Sequence, residues 1–459
     1  MQYSNDSIVR RRPLMPTLTH RDHSLDGTTS VPHVVIVGGG FGGLMAALSL
    51  RRAAARLTLI DRSNHHVFQP LLYQVATAAL SPAQIAAPIR HILARQANCT
   101  VWMAEAARVD AARRVLVLTD GVLPYDYLIL AAGATHSYFG HDEWARYAPG
   151  LKTVADAVEI RQRLLLAFER AERLSTPEAQ RPYLTFVIVG GGPTGVEMAG
   201  AIREIACETA RHDFRNIDRA NIRVILVEAL DRLLASYPEA LARRSERDLA
   251  ELGVEVRRRS RVTHIDARAV TITTVHGTET IASRNVLWAA GVQANSLGGT
   301  IGVPLDQNGR VSVESDLSVP GHPEIFVIGD LADVKEARTG QPVPALAPAA
   351  LQMGRHVAKI IAAEAGRGVR EKDARPSFRY VDRGLLATVG RKRAVAALGP
   401  FRFAGLLAWL LWCVVHIFFL ITFRQKVLVM IEWIWSYVTF TGGARLITGP
   451  TRRRGQSAD

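Results

Sequence analysis

Twice in this chain an apolar strand runs through a glycine-rich turn into an amphipathic stretch: HVVIVGGGFGGLMAALSL from His33 and TFVIVGGGPTGVEMAGAI from Thr185. Strand, turn and helix in that order belong to a parallel α/β sheet. In the first copy Gly38, Gly40 and Gly43 form GxGxxG. The first glycine permits the tight turn, the second lets backbone N–H groups approach a pyrophosphate, and the third lets the helix pack against the strand. The helix N-terminus then faces the phosphates. Asp61 ends the strand LTLID, where a carboxylate accepts hydrogen bonds from ribose hydroxyls. A glycine turn alone also serves plain packing; strand, helix and acid together point to a dinucleotide site.

The second copy supplies Gly190, Gly192 and Gly195, with Glu228 ending the strand VILVE. An acid there favours a free 2′-hydroxyl and repels a 2′-phosphate, which selects NADH over NADPH. From Gly190 to Glu228 is 38 residues, longer than the usual interval of about 20. An insertion around DFRNIDRAN is expected to lengthen the helix; otherwise Glu228 is an ordinary surface acid. Two nucleotide sites in one chain imply electron transfer between two cofactors, a resident FAD and a diffusing NADH. The string EIFVIGDLAD fits a flavin, with Asp330 against its ribityl or phosphate region, or equally a strand end with a helix cap.

These motifs predict an α/β fold with two Rossmann-like dinucleotide-binding domains and a C-terminal membrane-anchoring helical segment. A polar leader over residues 1–30 is expected to be disordered. The FAD-binding domain takes residues 31–150 and 296–380, the NADH-binding domain 151–295 between them, and the membrane-binding region 381–459. A length of 459 residues suits two or three cores. The net charge of +14 is concentrated at the end, where residues 391–459 carry ten Lys or Arg against two acids. A basic surplus beside the most apolar segment suits an anionic lipid surface and argues against nucleic acid. Cys99, Cys207 and Cys413 form no CxxC pair, so neither a redox dithiol nor a disulfide framework is expected, and no metal site is read. The leader has no apolar run after its arginines and is not a secretory signal.

The strings HHVFQPLLYQVATAALSP, GGGPTGVEMAG, VLWAAGV and IGDLAD, with the aromatic C-terminal segments, closely resemble the type II NADH:quinone oxidoreductases, the non-pumping NADH dehydrogenases. The resemblance runs over residues 34–447. It implies that Gly38, Gly40, Gly43, Asp61 and Asp330 hold FAD, and that Gly190, Gly192, Gly195 and Glu228 hold NADH. It implies that Glu197 lies near nicotinamide and flavin and handles a proton or substrate, although a first-turn acid on a helix dipole reads the same. Family members carry AQxAxQ beside the quinone; here the string is Ala347-Pro348-Ala349-Ala350-Leu351-Gln352, so Gln352 matches the second glutamine and Pro348 replaces the first. Phe68, Pro70 and Tyr73 would wall the flavin or quinone side, or serve as core. Gly133 and Gly291, in two AAG strings, let the chain approach FAD and NADH respectively, or are turn glycines. A membrane quinone, ubiquinone or menaquinone, is the expected acceptor, and with no polytopic channel no proton pumping is expected; the leader being no secretory signal, the catalytic part is expected on the cytoplasmic face of the inner membrane, and a homodimer is left open.

In the tail, residues 403–423 carry no charge and only His416 is ionisable. As one helix they would span roughly 31 Å, about the hydrocarbon thickness, which permits a transmembrane helix; a membrane-embedded hairpin or plate is preferred, spanning is left open, and a buried core helix or dimer contact is the alternative. Arg402 on one side and Arg424 with Lys426 on the other leave the orientation open. Residues 427–440, with Glu432, suit a helix lying in the interface. Trp409, Trp412, Trp433 and Trp435 favour the headgroup level. Two rivals share parts of this pattern. A sulfide:quinone oxidoreductase needs reactive cysteines beside the flavin, and a basic signalling flavoprotein would bind DNA without oxidising NADH by quinone.

Overall fold

The computed structural model describes residues 31–367, 375–439 and 444–448; the leader, residues 1–30, lies outside them. The chain begins with β1 (His33–Val37), α1 (Phe41–Ser49), β2 (Arg56–Asp61), β3 (Cys99–Met103) and β4 (Tyr127–Leu130). Helix α2 (Val154–Glu172) leads into β5 (Thr185–Val189), α3 (Pro193–His212), β6 (Arg223–Val227), α4 (Glu239–Leu252), β7 (Val254–Arg257) and β8 (Asn285–Trp288). Next come β9 (His322–Val327) and α5 (Ala347–Arg367), then a meander of β10 (Leu385–Gly390), β11 (Arg393–Leu398) and β12 (Phe401–Ala404). Helices α6 (Leu406–Phe419) and α7 (Phe423–Thr439) follow.

The first sheet has the order β9-β4-β1-β2-β3, all parallel, with Ser318–Val319 antiparallel on the outer edge of β9. A second parallel sheet has the order β7-β6-β5-β8. Every residue of β1 and β5 is buried, as expected where helices cover both faces of a parallel sheet. The expected α/β class is therefore observed. The chain leaves the first sheet after β4 and rejoins it only with Ser318–Val319 and β9. Its outgoing strand, Ala134–His136, and its returning strand, Val292–Ala294, pair antiparallel between the two sheets.

The meander is clamped to the second sheet's main helix. A Cβ built on Gly200 in α3 would overlap the carbonyl oxygen of Val389 in β10, so only a glycine lets strand and helix touch backbone to backbone. Behind the first sheet, the nearly enclosed Arg375 guanidinium donates to Glu364 (2.6 and 3.0 Å) and Asp316 (3.0 Å), and Tyr127 Oη donates to Glu364 (2.7 Å).

The tail departs from the sequence reading. Residues 403–423 do not form one helix: Phe403 pairs with Ala396 in the meander, Gly405 breaks the chain at φ +71°, and α6 stops at Phe419. Its 14 residues reach roughly 21 Å, short of a bilayer core of about 30 Å. The second helix starts earlier than expected because Thr422 caps it, accepting from the Gln425 N–H (3.2 Å) while Gln425 Oε1 accepts from Thr422. The RQK segment is therefore helical, and position 440 lies outside the described residues. Among the described residues no helix is long and apolar enough to cross a membrane, which corrects the transmembrane expectation. Trp412 and Trp433 also turn inward and stack on each other at 5.4 Å, while Trp435 stays exposed.

The close approach at Gly200 is testable. Gly200→Val should lower stability by about 1–3 kcal/mol through overpacking, whereas Gly366→Ala, at a helical position with nothing within 4 Å, should raise it by about 0.5–1 kcal/mol. Urea denaturation of the two variants, read as midpoint shifts of opposite sign, checks both.

Candidate functional site

The two glycine turns are built alike. Gly38 (φ +103°) and Gly190 (φ +109°) hold a backbone conformation that side chains rarely adopt, and the space a Cβ would need is taken by Ala131 and by Ala289 and Ala290. Gly43 and Gly195 let each helix rest on the carbonyl of its own first glycine. Around Gly40 and Gly192, by contrast, a Cβ would meet nothing within 4 Å, so space above each turn is open. The strand-end acids hold the turns: Asp61 accepts from the N–H groups of Gly39 (2.7 Å) and Ser63 (2.6 Å), and Glu228 from those of Gly191 (2.5 Å) and Leu230 (2.7 Å). Glu228 is thus tied to its turn and is no ordinary surface acid. The long interval before it reflects α3, 20 residues against 9 for α1. The DFRNIDRAN stretch adds a loop with a short turn at Arg219–Asn221 and does not lengthen the helix.

A cavity of about 1160 Å³ runs from the first turn to the tail, larger than the roughly 300–1,000 Å³ of ordinary small-molecule sites. Gly38, Gly40 and Asp61 line one end of it. Gly133, Gly291 and Asp330 line it further along, beside the paired connecting strands, with Lys152 Nζ 4.0 Å from Asp330. The start of α3 enters through Pro193 and Thr194 of its first turn and Glu197 just beyond it, so Glu197 is not a first-turn acid. Phe68, Pro70 and Tyr73 form wall, with Phe68 and Tyr73 also packed in the core. Val415, His416 and Phe419 of α6 close the apolar end. Gly190, Gly192, Gly195 and Glu228 are not lining residues; their turn meets the cavity only through the helix it starts.

Glu197 sits at the cavity wall, enclosed by protein on its other sides. Burial pushes its carboxyl up to about 8, against a smaller opposing pull from the Thr388 N–H. It is therefore mostly protonated at neutral pH. Gln352 does not line the cavity: its amide donates to Val381 O (3.0 Å) and accepts from Val381 N (2.9 Å), pinning the segment that leads to Arg383 and Gly384 at the cavity wall. Pro348 does line it, in the first turn of α5 where no helical N–H is needed.

Some contributors escaped the sequence reading. The buried His66 donates from Nδ1 to Gly39 O (2.9 Å) and steadies the first turn. Its signal was the paired histidine of HHVFQPLLYQ. Lys152 and Tyr237 lie in loops without any motif, and no pattern in the sequence could have assigned them to the cavity. In the sequence His416 stands out only as the single ionisable group of an apolar run. None of the cysteines lines the cavity, and burial raises the thiols of Cys99 and Cys413 to about 11 and 12, away from reactivity. No cluster able to hold a metal ion occurs among the described residues. The open space over Gly40, two helix N-termini and an elongated cavity fit a flavin dinucleotide.

Residues 32–354 match the family described as pyridine nucleotide-disulphide oxidoreductase, and residues 383–440 match the NDH2 C-terminal domain. The chain is 44% identical over 425 residues to the type II NADH:quinone oxidoreductase Ndh of Mycobacterium tuberculosis, covering 90% of each chain. It is 43% identical over 426 residues to NdhA of the same organism, covering 90% of this chain and 89% of the relative. In fold it is similar to NDH2 from Plasmodium falciparum, solved in complex with NADH, with a TM-score of 0.83 at 20% identity over 91% of this chain and 100% of that one. The turns, the cavity and these matches agree: the chain belongs to the pyridine nucleotide-disulphide oxidoreductases and, within them, to the type II NADH:quinone oxidoreductases.

Proposed function

We propose that this chain oxidises NADH and reduces a quinone through a bound FAD. The observation that carries the reading is one continuous cavity joining the first glycine turn, the first turn of α3 and the apolar end at α6. The chemistry supplied by bound FAD is a two-electron relay between nicotinamide and quinone. The first sheet is the FAD unit, with Gly38, Gly40 and the N-terminus of α1 toward the pyrophosphate, Asp61 toward the ribose, and Asp330 beside Gly133 further along. The second sheet is the NADH unit, with Gly190, Gly192 and Gly195 as phosphate cradle, Glu228 as the ribose acceptor and Gly291 where the returning strand nears the cavity.

Glu197 stands where the NADH helix enters the cavity. A carboxyl that keeps its proton there adds no negative charge beside the reacting groups and has a hydrogen to donate. Phe68, Pro70 and Tyr73 with Phe419 exclude water and offer an apolar slot for a quinone ring. Gln352 acts through the backbone it holds. The membrane contact we assign to the exposed apolar face of α6 and α7, carried by Leu407, Val414, Phe418, Phe423, Ile431 and Trp435, beside Arg402, Arg424 and Lys426. Such a surface suits peripheral attachment to anionic lipid. The raised cysteine thiols leave sulfide chemistry without a nucleophile.

The deciding experiment records the visible spectrum of the detergent-purified protein. NADH should bleach a flavin absorbance and a short-chain quinone should restore it; an unchanged spectrum rejects the reading. Glu228→Gln should raise kcat/KM for NADPH relative to NADH about tenfold, in steady-state assays, for one charge-dependent contact of about 1.4 kcal/mol. Glu197 gives a pH signature. Folding raises its carboxyl from the ordinary 4.5 to about 8, so the fold favours the protonated form, and its contribution to stability is present at low pH and lost as pH rises through about 8. The Tm of wild type should therefore fall relative to Glu197→Gln between pH 5 and pH 9; a pH-independent difference would refute this.

A further inference from the structure

His416 is built into the cavity in one orientation. Its Nδ1 lies 2.7 Å from the carbonyl oxygen of Trp412, one helical turn back on α6. A carbonyl only accepts, so Nδ1 carries the hydrogen, and in a neutral ring Nε2 is left with a lone pair. Trp412 stacks on the imidazole at 4.0 Å and 26°, and Phe68 meets it edge-on at 6.1 Å, so the ring is gripped from two sides. Trp412 is held in turn by Trp433 at 5.4 Å. Burial keeps the imidazole neutral, its pKa lowered to about 4. Among the described residues no hydrogen bond is made to Nε2, while His416 lines the apolar end of the cavity beside Val415 and Phe419.

A fixed acceptor in an apolar slot discriminates between the two forms of a quinone. The oxidised ring carries carbonyl oxygens, which only accept and face the Nε2 lone pair unfavourably. Two electrons and two protons together convert both carbonyls of the ring to hydroxyls, which donate. We infer that His416 Nε2 accepts a hydrogen bond from a hydroxyl of the hydroquinone product, so that the pocket binds the reduced ring in preference to the oxidised one. The inference rests on the quinone reading of the apolar end. It makes His416 a group whose interaction exists only once the acceptor has been reduced, and differential binding of this kind shifts a bound couple toward its reduced form.

The test is equilibrium titration of the full-length flavin-loaded protein, without NADH, using a short-chain hydroquinone, its O-methyl ethers and the matching quinone. Wild type should bind the hydroquinone about three- to tenfold more tightly than the ethers, the range expected for one neutral hydrogen bond. His416→Phe, which keeps an aromatic ring for stacking and removes the acceptor, should abolish that preference. His416→Gln, which returns an acceptor oxygen, should recover part of it. A hydroquinone preference that survives in His416→Phe overturns the inference, and so does equal binding of all three ligands by wild type. Should His416→Phe fail to fold, His416→Leu carries the same comparison. If NADH and quinone produce no turnover in wild type, the functional reading fails, an outcome separate from loss of the hydroquinone preference in a protein that does turn over.

Discussion

Two helices rest on the carbonyl of the residue that starts their own turns, and the working geometry follows from that contact. Gly43 over Gly38 and Gly195 over Gly190 leave no room for a methyl group. The helix axis is thereby fixed against the strand, and its free N–H groups converge above the second glycine. Asp61 and Glu228 then tie the next strand's end to the same turn. A strand-turn-helix unit with open space over its second glycine is the result, and the chain makes it twice with unrelated flanking loops.

The fold was legible wherever a local pattern forces a backbone. The all-apolar strands, the glycine spacing and the strand-end acids belong to one recurring strand-turn-helix-strand pattern, and Asp61 and Glu228 are found at the turns that pattern assigns them, 22 and 37 residues on. What was not legible depends on the chain folding back. Gln352 matches a family glutamine by position, yet its amide is consumed by Val381, 29 residues away, and no local signal announces that. Glu197 reads as a helix-start acid, and the burial that raises its carboxyl comes only from the packed tertiary structure, with the Thr388 N–H of β10 pulling the other way. Hydropathy alone misread residues 403–423. The run is continuously apolar, but Gly405 and the Thr422 cap divide it into strand, helix and helix, and apolar length is a necessary condition for spanning without being a sufficient one.

The tail therefore has two faces with different duties. His416 points inward and finishes the cavity wall with Trp412 and Trp433 stacked behind it, while Phe418, Phe423 and Trp435 point outward. Trp433 donates to Gln74 (2.8 Å), joining α7 to the QPLLYQ segment that carries Pro70 and Tyr73. An exposed apolar surface and a cavity wall are thus opposite sides of the same pair of helices.

The late return of β9 sets an order on how this molecule is made. Strand β4 is flanked by β1 on one side and β9 on the other, so a nascent chain that has released β4 displays an unpaired edge until residue 327 has been synthesised. Unpaired edges invite wrong partners, and the wait is long because the whole second sheet must be translated first. That sheet contains its own strands in sequence and completes itself in the interval. Biogenesis accordingly favours maturation of the later-encoded sheet before the earlier one closes, the reverse of simple N-to-C folding by whole domains.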